Sequence, residues 1–180
     1  MIRSFWRAAL AAAMWGALAG CSGSQTPVMS ALDKARSLPP AFCADATPLA
    51  RAAIAGRLPQ PLSVEPLSHN VHAVKFATRP VFSGASLVLP APEGMTAAWL
   101  QRTLVCHQAD VALGTATADA DDPFVLPSGW LDVAAFAHGG TVVLRLEPLD
   151  PAHAGTVLAR AQRWSQKAAA SAAAVTPSAQ

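Results

Sequence analysis

The sequence contains no tyrosine, only three cysteines, and charged residues make up just 13% of it. Each shortage removes a class of function. Neither a CxxC pair nor a CxxCH motif occurs. Val105-Cys106-His107 lacks the first cysteine that c-type haem attachment needs. The serines in "FSGAS" and "PSGW" do not sit in GxSxG, and neither a phosphate loop nor a dinucleotide fingerprint is present. No activity and no cofactor is therefore expected from motifs. "TADADDPF" groups Asp119, Asp121 and Asp122, but counting from Asp119 puts Phe124 and Trp130 where a calcium loop needs Gly and Glu. The reading is a solvated acidic loop.

Long apolar runs are also missing. The longest, Ala8 to Ala19, falls short of the roughly 20 residues that cross a bilayer. It follows Arg3 and Arg7 and ends in Leu18-Ala19-Gly20-Cys21. This resembles a bacterial lipoprotein signal with its lipobox, in which the thiol of Cys21 carries the lipid. That resemblance implies a signal peptide over 1–20, a lipidated Cys21, and a membrane partner reached through the acyl chains. Ser22, rather than aspartate, implies the outer membrane and a periplasm-facing domain. Of the 13 basic residues two leave with the leader, so 11 remain against 11 acidic ones. A neutral chain carries no field for nucleic acid.

What is present reads as one domain. Residues 21–40 are small and polar, a tether stiffened at its end by Pro39-Pro40. Residues 168–180 are alanine-rich and of low complexity. Between them, 41–167 carry readable periodicities. "TPLARAAIAG" predicts a short helix capped by Thr47 with Pro48 at its first position. "NVHAVKF" and "ASLVLP" predict strands joined by a loop from Arg79-Pro80 to Gly84. His69 and His72 fall on opposite faces of the first strand, so they should not share a ligand. "TAAWLQRTLVCHQADVALG" predicts a helix capped by Thr96, with a stripe of Leu100, Leu104, His107 and Val111.

The clearest segment is "WLDVAAFAHGGTVVLRLEP", two alternating runs around Gly139-Gly140. A two-residue type I′ turn pairs His138 with Thr141. Leu131, Val133, Ala135 and Ala137 then share a core face with Val142, Leu144 and Leu146. Phe136, Val143 and Arg145 share the outer face, with Trp130 at its rim. Asp150 and Pro151 start a last helix. The order is helix, then two hairpin-helix units. It predicts an α+β fold with a four-stranded, mainly antiparallel sheet and helices on one face. This order resembles that of periplasmic BON-type modules.

"GASLVLPAPEGMTAAWLQRTLVCHQA", with "SVEPL" and "VLARAQRW", resembles a set of uncharacterised proteobacterial periplasmic proteins and lipoproteins carrying a WLQRxxxCH helix. That resemblance implies a compartment and a fold, and no activity.

After lipidation of Cys21, Cys43 and Cys106 remain, and in an oxidising compartment two leftover cysteines pair. Two alternatives stay open. Cys106 and His107, with Cys43, offer thiolate and imidazole for copper or zinc, although neighbours on a helix point about 100° apart. Cys106 is also a candidate nucleophile for a thiol-dependent enzyme, if its pKa is lowered. The expected role is binding: Trp130, Phe136, Val143 and Arg145 form an aromatic and cationic patch suited to an envelope protein partner.

Overall fold

The computed structural model describes residues 29–74 and 77–175. The segment expected as a signal peptide, Cys21 and the expected tether up to 28 lie outside them, as do residues 176–180 of the tail. The fold is α+β. A four-stranded antiparallel sheet of order β1-β2-β4-β3 is built from β1 (Ser63–Val74), β2 (Ala77–Pro90), β3 (Leu131–His138) and β4 (Thr141–Pro148). Among the described residues five helices accompany it: α1 (Ala31–Ser37), α2 (Pro48–Ala52), α3 (Ile54–Arg57), α4 (Ala97–Ala112) and α5 (Ala154–Val175).

The helix starts follow capping chemistry. Thr47 and Thr96 accept hydrogen bonds from the backbone N–H groups of Ala50 and Trp99. Asp150 accepts from Ala152 and opens a 3₁₀ turn, Pro151–His153, that leads into α5. The β3–β4 hairpin has the predicted register. His138 faces Thr141 across Gly139-Gly140, and both glycines have positive φ. Leu131, Val133, Val142, Leu144 and Leu146 are buried on the core face with Ala85, Leu87 and Leu89 of β2. They meet Leu100 and Leu104 of α4, Phe124 of the following loop, and Val157 and Ala161 of α5 in one cluster.

The first hairpin departs from the sequence reading. Residues 79–84, expected as a loop, belong to β2, which is paired with β1 from Val74↔Ala77 onward. β4 pairs with β2 only over Ala85–Pro90, so residues 68–74 and 77–82 continue as a two-stranded ribbon past the end of the sheet. Pro80 lies in that ribbon, where β2 has no second neighbour and a missing N–H is tolerated. Ser83 makes a bulge between Leu67 and Ser68 of the partner strand. Gly84 beside it lies so close to β4 that an added Cβ would fall 2.0 Å from the carbonyl oxygen of Leu146.

Helix α4 is buried almost all round between Thr103 and Asp110. One side faces the sheet. The other is covered by α1, α2 and the 3₁₀ turn Pro40–Cys43. Residues 31–37, read from sequence as the end of the tether, are thus part of the packed body, with Ala35 buried. A lone amphipathic stripe would not explain buried polar groups on several sides of one helix. A helix sandwiched between two layers does.

Candidate functional site

Two regions carry chemistry, one on the surface and one buried, and both are positioned by α4 and the sheet. The first is the face of the sheet turned away from the helices. Strand pairing sets its rows. Phe136, Val143, Val88 and Ser63 lie side by side across all four strands, and Ala134, Arg145, Ser86 and Glu65 form the next row. Phe136 is 50% exposed and the Arg145 guanidinium stands 5.3 Å from its ring centroid. Val143 and Val88 are half-buried. Asp132 pairs with Glu147 in the third row, so three carboxylates (Glu65, Asp132, Glu147) share this face with Arg145. Among the described residues no helix packs on this face; α1 and α2 lie against α4 instead.

Trp130 does not belong to this patch. It is 5% exposed and packs with Ala35 and Ala109 in a second cluster, on the α1–α4 side. The rim position inferred from sequence is corrected here. Residue 130 precedes β3, where the alternation that orients Phe136 no longer applies, and α1 supplies the apolar cover.

The second region is the Cys106-His107 step. Cys106 is bonded to Cys43, with Cα atoms 5.6 Å apart and a sequence separation of 63. While that bridge is intact, neither sulfur is a thiolate ligand or a nucleophile. Next to it Arg51, itself buried, forms a bidentate ion pair with Asp110 at 2.6 and 2.9 Å. Its other nitrogen donates to the carbonyls of Cys43 and Ala46. The segment before α2 is therefore fastened to α4 by one covalent bond and one charged clamp.

His107 is fully buried and its Nε2 lies 2.7 Å from Oδ2 of Asp122. Asp122 also accepts from the N–H of Phe124 at 2.9 Å. His107 is buried with Leu100 and Leu104, as the predicted stripe requires. The solvated-loop reading fails for Asp122, which is 5% exposed, while Asp119 and Asp121 are solvated as expected. Arg160 of α5 donates to the carbonyls of Asp122 and Asp119 and fixes the loop from the far side. Burial pushes Arg160 below the usual arginine value, partly offset by the charge of Asp122. The N–H of Asp121, then Lys167, hold the Asp119 carboxyl below the ordinary aspartate range.

Sequence reasoning missed three polar features: the Arg51–Asp110 clamp, the His107–Asp122 pair, and the role of Gln108. Gln108 donates to the carbonyl of Leu131 and accepts from its N–H, at 3.2 and 2.8 Å. Seven residues earlier on the same helix, Gln101 accepts from the N–H of Ala135. The i, i+7 spacing of two glutamines facing a predicted strand edge was the available signal. His69 and His72 both lie on β1, exposed and opposite different β2 residues, Val81 and Thr78.

No family model, no curated protein and no solved structure matches this chain.

Proposed function

We propose that the chain is a lipid-anchored protein of the outer membrane whose periplasmic domain binds an envelope protein across the open face of its sheet. The observation that carries this reading is the half-exposed Phe136, stacked under Arg145 and continued by Val143 and Val88, with no described element over it. An aromatic ring beside an arginine, bordered by carboxylates, suits a partner that presents apolar and basic side chains. A second copy of the chain is disfavoured as that partner, because self-pairing would set Glu65, Asp132 and Glu147 against their own kind. The lipobox residues that end in Cys21 support the anchor. The Cys43–Cys106 bridge supports an oxidising compartment.

The test is photo-crosslinking in intact cells, with the crosslinker at position 136 and, as a control, at Leu49, which is 83% exposed on the helical side. A discrete protein adduct at 136, absent at 49 and lost when Arg145→Glu is added, is expected. The cross-linked segment should carry lysine or arginine. The same adducts at both positions, or none at 136, would overturn the reading.

A further inference from the structure

A cleft of about 700 Å³ opens between the α2–α3 segment, the 117–122 loop and the second half of α5. That volume lies within the range of small-molecule sites, roughly 300–1,000 Å³. It is hollow because small residues line it. Ala52, Ala55 and Ala168 form its walls, and a Cβ added to Gly56 would meet nothing within 4 Å. Trp164 supplies a flat apolar wall, held edge-on to Phe124 with ring centroids 5.6 Å apart.

The charges around this cleft decide what it takes. Every carboxylate that lines it already has a partner. Asp119 is paired with Lys167 at 3.3 Å, and Asp121 with Arg163 at 2.9 Å. Asp122 is spent on His107 and the N–H of Phe124. Arg57 also lines the cleft and makes no hydrogen bond or ion pair with any other described residue. Arg57 is the lining charge with no partner among the described residues, and it stands at the edge of an apolar hollow.

We propose that this cleft binds an amphipathic monoanion, its carboxylate or phosphate head held by Arg57 and its apolar body laid along the alanines and Trp164. Guanidinium is suited to either head, since its planar donors match two oxygens at once. A cationic amphiphile finds no free carboxylate here. The site is separate from the sheet face and does not depend on a protein partner.

The experiment is calorimetric titration of the full chain carrying Cys21→Ser, with dodecanoate, dodecyl phosphate and dodecyltrimethylammonium, each below its micelle concentration. Saturable one-site binding of the two anions and none of the cation is expected. The tighter of the two anions assigns the head group. Arg57→Gln should weaken anion binding at least 10-fold. Gly56→Phe fills the hollow from a position with room for a side chain and should abolish it, and unchanged thermal unfolding of that variant shows that the fold is kept. Phe136→Asp should leave binding as it was. Equal binding of the cation, binding that survives both cleft substitutions, or loss only in Phe136→Asp would each overturn the proposal. The last outcome would move the ligand to the sheet face.

Discussion

Gly84 sits beside the bulge that β2 makes against β1, at the point where β2 meets β4, and its missing side chain is what lets β2 and β4 approach. A methyl group there would overlap the Leu146 carbonyl, and that carbonyl belongs to the central ladder, so backbone has to move. Gly84→Ala is expected to destabilise by about 1–3 kcal/mol, the usual cost of overpacking. Gly155→Ala, on α5 with open space around it, is expected to be neutral or stabilising by less than about 1 kcal/mol. Urea midpoints of the two variants check this; equal midpoints would show that the sheet relaxes around the methyl. Among single residues, those whose surroundings are local in sequence were readable. Thr47, Thr96 and Asp150 were identified as caps because a cap is satisfied within three residues. Trp130 and Asp122 were misplaced because their surroundings come from beyond their own turn, Ala35 at 95 positions (130 − 35) for one and His107 at 15 for the other.

At the level of elements, α4 does two jobs. Its apolar side contributes Leu100 and Leu104 to the core, while Gln101 and Gln108 take up backbone groups of β3 that have no strand beside them. The outer edge of a sheet is an invitation to further strands, and two amides here occupy part of it. Gln108→Ala removes both bonds to Leu131 and leaves a buried N–H and a buried C=O, each costing about 1–3 kcal/mol. Amide exchange at Leu131 is expected to speed up while Ala135, served by Gln101, keeps its protection. Uniform acceleration along β3 would show instead that the strand opens as a whole. The second hairpin was legible to the exact pair because Gly139-Gly140 and a period of two specify register together. The first was not, because Arg79-Pro80 and Gly84 carry the composition of a loop. A proline in an outlying ribbon and a glycine at a bulge give the same local signal as a turn. The cleft was equally hidden: alanines and a glycine are defined by what does not fill the space between three separate segments.

For the molecule as a whole, the Cys43–Cys106 bridge joins the N-terminal helical layer to the sheet layer through α4. On the chain-entropy model a loop of 63 residues stabilises by about 4 kcal/mol. In the chain carrying Cys21→Ser, intact mass after alkylation should show no free thiol before reduction and two after. Reduction should lower the unfolding midpoint without altering the far-ultraviolet circular dichroism at low denaturant. Two free thiols in an oxidised preparation would remove the basis for both expectations. The bridge also decides how the protein bears load. If the molecule were pulled from its two ends, tension would enter at residue 43, cross to 106 through sulfur, and leave along α5. The intervening segment, which includes all of β1 and β2, would sit inside a closed covalent ring and feel none of that extension. At about 3.3–3.6 Å per residue, roughly 210–225 Å of chain would stay hidden from the pull until the disulfide is reduced. Under such a load reductant, not force, is the agent that can open half of the sheet.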